Sequence, residues 1–427
     1  MARSGRLALA MLMVAIVLST LACGDSSPSG AVTVQKPRPT LTPRIGMTWA
    51  KAPYVGRAED LFPVDSNPST GPDRPGTPGH PGHFPGQEIM ADVASVGRRF
   101  VAVGYGGLRG EWTARVWTSA DALTWTESTL DHTIGSFAVA IATTSDGHVI
   151  AVGRAGRLAM AWLSTDGMTW AAKPLGSATP DPAQRASAIT VTDLGIIVGG
   201  SYGPELGART AVFWRSVDGG NSWQGGPSDA IDDEVDLPTF AGAEVSAIAR
   251  TADGLVAMGR LGTGQRWTGS LAWLSTDGVA WRRVDDAALG GGLAVSLVVT
   301  PDWILAVGSD ADEREAVVWA SPDGASWVRA APETSRLHFG EKVRMTDVVA
   351  LAGGYVAVGN YVGVQFGQGT SWVSSDGSVW ERAADQPVWG QGEPSALIAG
   401  GPGLVSVGTF GAPDNYVPTI WLSPALP

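Results

Sequence analysis

Three tryptophans, Trp112, Trp267 and Trp389, stand apart from the regularly spaced majority of the 18 in this 427-residue chain, and each falls in a stretch that reads as a loop. Exposed indoles stack on sugar rings and grip peptide segments, so these three are the first candidates for a binding surface outside any core. Tyr105, Tyr202 and Tyr361 each follow a Val/Ile-rich run and its glycine, and are read as lining the same surface. The metal-binding residue types offer less. His80 and His83 form His-Pro-Gly-His, but two imidazoles alone make a poor transition-metal site. Asp229, Asp232, Asp233, Glu234 and Asp236 supply the hard oxygens that Ca2+ takes, without the glycine-punctuated spacing of a calcium loop. No metal site is assigned and no cofactor expected, Ca2+ being the one weak candidate. The sequence contains no phosphate-cradling glycine loop, nucleophile elbow or Cys–His pair.

Arg3 and Arg6 precede the apolar run Leu7 to Leu21, the length of an export-signal core and shorter than the roughly 18 to 20 residues that span a bilayer. The run ends Ser19-Thr20-Leu21-Ala22-Cys23, and Cys23 is the only cysteine, so no internal disulfide forms. A small residue before a lone cysteine resembles a bacterial lipoprotein cleavage site, although Thr20 stands where leucine is common. The resemblance implies a signal over residues 1–22, a lipid on Cys23, and a tether over 23–44; secretion without an anchor is the alternative. Basic residues number 29 against 41 acidic ones, a net charge of -12. That excludes the basic face a nucleic-acid partner needs, and it disfavours anionic membranes except through the anchor.

With 57 glycines and only 16% charged residues, the composition suits short strands and tight turns, and no window carries a capped helical period. One phrase recurs: ARVWTSADALTW from Ala114, MAWLSTDGMTW from Met160, VFWRSVDGGNSW from Val212, LAWLSTDGVAW from Leu271, VVWASPDGASW from Val317 and SWVSSDGSVW from Ser371. A seventh begins at Thr419 and lacks its second half. Before each stands a phrase such as FVAVG, ending at Gly104, Gly153, Gly200, Gly259, Gly308, Gly359 and Gly408. Repeats of this length hold four short strands, and seven of them arranged radially make an all-β, seven-bladed propeller over residues 45–427. The stretch GMTWAKAP, Gly46 to Pro53, duplicates the fourth strand GMTWAAKP at Gly167 to Pro174. It is therefore expected to complete the last blade by pairing with residues 419–423.

Fourteen of the tryptophans fall at two repeat positions and read as core. In the turn between third and fourth strands, Asp121, Asp166, Asp218, Asp277, Asp323 and Asp376 can each accept backbone N–H bonds, while a following glycine supplies positive φ. These Ser-x-Asp-Gly-x-x-Trp turns, fullest at Ser216 to Trp223, resemble the Asp-box of BNR-repeat, sialidase-like propellers. The resemblance covers nearly the whole mature chain and implies that the six aspartates are structural. For a sialidase it also implies three arginines, a tyrosine nucleophile with its glutamate, and an aspartate acid/base. The Phe/Tyr-Arg-Ile-Pro motif of those enzymes is absent, Pro43-Arg44-Ile45-Gly46 being the nearest string. Arg185, Arg250, Arg336 and Arg344 lie in or near inner strands without a motif to align them.

Loops joining second to third strands, and each blade to the next, vary in length, whereas the other turns do not. Trp281 to Gly308 spans 27 residues and Trp49 to Gly104 spans 55. Both variable classes emerge on one face, around the channel mouth, together with the Pro/Gly-rich stretch 63–86, read as a flap. The chain thus reads as a monomeric, non-catalytic propeller binding a carbohydrate or protein there. The alternatives are a sialidase-like glycoside hydrolase and an extracytoplasmic assembly factor.

Overall fold

Every repeat becomes one antiparallel four-stranded sheet, there are seven such sheets, and in six of them sequence order is spatial order. The computed structural model describes residues 47–52, 87–108, 110–176, 182–204, 208–226, 242–262, 266–284, 286–330, 342–362, 367–401, 403–412 and 415–424. The segment 1–22 read as an export signal, Cys23, stretch 63–86, the acidic run 229–236 and Arg336 lie outside the described residues. The blades span 87–131, 136–174, 183–225, 242–284, 292–330, 342–382 and, for the seventh, 392–424. Among the described residues, Ala287–Leu289 is a single 3-10 turn.

The seventh blade takes its fourth strand from the other end of the chain. Ala50 pairs with Leu422 and Lys51 with Trp421, and Ala52 N donates to Ile420 O at 2.9 Å. Trp49 is 6% exposed and donates from Nε1 to Ser371 Oγ in blade 6 at 3.1 Å. The expected closure is the one observed, and the fold is a seven-bladed β-propeller.

Each core cluster spans two neighbouring blades, because a single twisted sheet exposes two apolar faces that only its neighbours can cover. Val101 and Val103 of blade 1, for instance, pack with Ile141 and Trp162 of blade 2. The third-strand tryptophans Trp162, Trp214, Trp319, Trp372 and Trp421 are fully buried in these seams.

A bulge interrupts every inner strand, and it explains the repeated glycine. Met90 pairs with Gly104, but the next pair is Asp92 with Val103, leaving Ala91 looped out; the same jump recurs at Val139, Ser187, Ser246, Val295, Thr346 and Ser395. The carbonyl just before the bulge swings against the glycine. A Cβ at Gly104 would lie 1.8 Å from Ile89 O, and one at Gly308 1.8 Å from Leu293 O. Only glycine fits there.

In every aspartate turn the carboxylate accepts backbone N–H bonds, and only the third copy, one residue longer, differs in reach, with Ser222 N donating to Asp218 Oδ1. In the second copy Met168 N and Thr169 N donate to Asp166 Oδ1 at 2.8 and 2.7 Å, and Ser164 Oγ donates to it at 3.0 Å. Gly167 has φ 75°, and Ala122, which replaces glycine in the first copy, is held at φ 61°. Hydrogen bonds to the carboxylate hold Asp166 and Asp218 down at about 2, the main donors being Thr169 N for the first and the Ser222 hydroxyl for the second. Asp121, Asp277 and Asp323 are lowered for the same reason, and Asp376 takes Ser378 N and Val379 N. These carboxylates are committed to their turns, at the end of the blades away from the variable loops.

Candidate functional site

The recurrent glycine sets the register of the mouth. Next to it, one step toward the loop-rich face, stand cross-strand pairs joining second and inner strands: Tyr105 with Ile89, Arg154 with Phe137, Ser201 with Arg185, Arg260 with Glu244 and Asn360 with Arg344. Residues directly opposite in an antiparallel pair share one face of the sheet. Two concentric rings of side chains thereby surround the channel entrance.

Along the arc from blade 1 to blade 5 the rings enclose a cavity of about 460 Å³. Arg154, Arg185 and Arg260 line it against a single glutamate, Glu244, so an acidic chain concentrates positive charge here. The Arg154 guanidinium lies 4.6 Å over the Phe137 ring, and Arg260 stands 3.7 Å from Glu244 and 4.8 Å over Trp267. Tyr105, Trp112 and Phe137 form an aromatic trio with centroid separations of 4.8 to 5.9 Å. Burial raises the Tyr105 hydroxyl above its ordinary value, keeping it a neutral donor. Trp112 Nε1 is buried without a hydrogen-bond partner among the described residues. The same holds for the Nε1 of Trp170, Trp214, Trp223, Trp281 and Trp372, so this feature is shared with the blade seams.

The structure sorts the sequence candidates into three groups. Tyr105 lines the cavity, and Trp112 backs it through its ring contacts with Tyr105 and Phe137 without lining it. Trp267 is the first residue of a third strand rather than part of a loop, and it backs Arg260 without lining the cavity. Trp389 corrects the expectation of an exposed loop indole. It is 1% exposed and wedged between Trp49 at 5.0 Å and Trp421 at 5.1 Å, inside the seam that closes the ring. Tyr202 and Tyr361 are also corrected, because they sit two residues after the glycine, not one. Side chains alternate faces along a strand, so Tyr202 packs into the seam of blades 2 and 3. Tyr361 packs against the seam of blades 5 and 6, with Arg382 5.2 Å over its ring. All three tyrosines lie within second strands, not beyond them.

Arg250 lies at the far end of its strand, paired with Asp193 at 2.7 Å, and Arg344 bonds Asn360 at 2.9 Å outside the cavity. Sequence reasoning missed Phe137, Arg154, Glu244 and Arg260. Aligning every repeat on its glycine exposes them, since Tyr105, Arg154 and Arg260 then share one column. Among the described residues no group of three or more His, Cys, Asp or Glu is placed to hold a metal ion.

A domain model described as the DUF6242 beta propeller domain matches residues 107–290. No curated protein sequence matches the chain. Among solved structures, "YCF48 bound to D1 peptide" is 16% identical with TM-score 0.50, over 81% of this chain and 95% of that one. The Hadza microbial sialidase Hz136 is 15% identical with TM-score 0.47, over 74% and 73%. Trypanosoma rangeli sialidase in complex with sialic acid is 14% identical with TM-score 0.45, and 79% of this chain covers 54% of that one, about half its length. Likeness at such identities concerns the fold alone; the sheet order makes this chain a seven-bladed β-propeller.

Proposed function

We propose that the chain is an exported, lipid-anchored propeller that binds an anionic ligand or protein partner at the mouth of its loop-rich face, without catalysis. The observation that carries this reading is the cavity where Arg154, Arg185 and Arg260 meet the aromatic trio. Guanidinium groups bind carboxylates through directed, charge-assisted bonds, and adjacent rings hold the apolar part of the same ligand. YCF48 in that structure is bound to D1 peptide, which agrees with a partner here, such as one that an assembly factor would engage. Sialidase-like hydrolysis is the second reading, because Tyr105, Glu244 and the arginines line one cavity. Against it, Tyr105 is engaged by Phe137 and Trp112 and Glu244 by Arg260.

The mature chain, applied to arrays of acidic glycans and acidic peptides, is expected to retain ligands of one class. Arg154→Ala and Arg185→Ala should each weaken that retention by about 10- to 100-fold, the worth of a charge-assisted hydrogen bond. Trp303→Ala, on the opposite face and 42% exposed, should change nothing. Loss in Trp303→Ala alone would move the site, and turnover of a fluorogenic sialoside would overturn the non-catalytic reading. For the anchor, Cys23→Ala should send the protein to the soluble fraction or leave its signal uncleaved. Unchanged membrane retention of that variant would count against lipidation.

A further inference from the structure

One register position on the channel wall is used by neither the mouth nor the turns. It is the residue directly after each bulge: Ala140, Ala188, Ala247 and Ala396 in four blades, Ser296 in blade 5, and a carboxylate in blades 1 and 6, Asp92 and Asp347. Both aspartates are half-buried and both bridge blades. Asp92 accepts Val93 N at 2.7 Å on Oδ1 and Ile141 N of blade 2 at 2.8 Å on Oδ2. Asp347 accepts Val348 N and the Ser296 hydroxyl of blade 5 on Oδ1, and Leu397 N of blade 7 at 2.7 Å on Oδ2. Ser187, Ser246 and Thr346, in the bulges themselves, donate to the next blade's carbonyls Val245 O, Ala294 O and Pro394 O. Those neutral bonds are indifferent to pH near neutrality. The two carboxylates are not.

We infer that Asp92 and Asp347 form a proton-responsive clasp in the channel, which holds blade 1 to blade 2, and blades 5 and 7 to blade 6, more firmly in mild acid than in mild alkali. Among the described residues neither carboxylate has a cation for a partner. Besides Asp92 the inner strand of blade 1 carries Glu88; besides Asp347 that of blade 6 carries Lys342, paired with Glu313 at 2.9 Å, and Arg344, 3.9 Å from Glu393. The one charge that acts on the pair is their own, Asp347 on Asp92. Desolvation first, then that repulsion, pushes Asp92 up to about 7, and desolvation pushes Asp347 up to about 6, against the pull of the amide donors. A neutral carboxyl keeps a carbonyl acceptor and a hydroxyl lone pair, so both bridging bonds persist in weaker form while the repulsion and desolvation vanish. A carboxyl whose pKa is raised on folding binds protons as the chain folds. Its favourable contribution is complete below the ordinary carboxylate value and is lost as pH rises through about 6 to 7.

The test is thermal unfolding of the mature chain across about pH 5 to 8, for wild type, Asp92→Ala, Asp347→Ala and the double variant. Four blades already carry alanine at this position, so the ring accepts the substitution; Asp92→Asn and Asp347→Asn provide a second set. The melting temperature of wild type is expected to fall by several degrees across that range more than that of the double variant. Asp347→Ala should shift the remaining transition to lower pH, because Asp92 loses its like-charged neighbour; a purely structural role for Asp347 would not move that midpoint. Equal pH dependence in wild type and double variant overturns the inference, as does an unmoved midpoint in Asp347→Ala.

Discussion

Removing residues 24–53 is expected to lower the melting temperature far more than removing residues 24–44. The shorter deletion leaves every described strand in place, whereas the longer one strips the fourth strand from blade 7 and bares the edge at Ile420 to Leu422. Most of the loss should trace to one side chain. Trp49→Ala removes the indole that packs on Trp389 and bonds Ser371, and truncation of a large buried aromatic costs about 3 to 5 kcal/mol. Trp389→Ala should cost a comparable amount, since both indoles fill one seam. The double variant should cost less than the sum, because contacting residues do not add. A chain beginning at residue 54 that melts like the mature protein would refute closure by this strand, whatever the pairing geometry.

Gly308→Ala, and equally Gly104→Ala, should destabilise by about 3 kcal/mol or more, near the top of the range for a single substitution. A methyl group at either position meets a backbone carbonyl oxygen at 1.8 Å. Backbone cannot swing aside as a side chain can, so the bulge must open, and with it the cross-strand pairs that shape the mouth. Gly400→Ala is the control: its nearest new contact is the Phe100 ring at 3.7 Å, ordinary packing distance, and the cost there should be small. Equal melting temperatures for the Gly308 and Gly400 variants, measured under one condition, would show that the bulge is not what demands glycine.

The repeats, the seven blades, the closing strand and the aspartate turns were legible in the amino-acid sequence because each rests on local chemistry recurring at a fixed period. An Asp, a positive-φ residue and a Trp within seven positions specify a turn wherever it sits in the ring. Even the bulge left a trace, the invariant Gly104, Gly308 and their counterparts. Aligning on that glycine would also have separated Tyr105 from Tyr202 and Tyr361, since a shift of one residue in a strand reverses the face. What tertiary structure alone decided was adjacency across blades. Trp389 lies in a loop by sequence yet is sealed in a seam, because Trp49 and Trp421 reach it only once the ring closes. Arg154, Arg185 and Arg260 come from three different blades, and Asp92 and Asp347 from two others, so no spacing along the chain foretells that they converge. They meet because a propeller points every inner strand at one axis, and that axis exists only after all seven blades have packed.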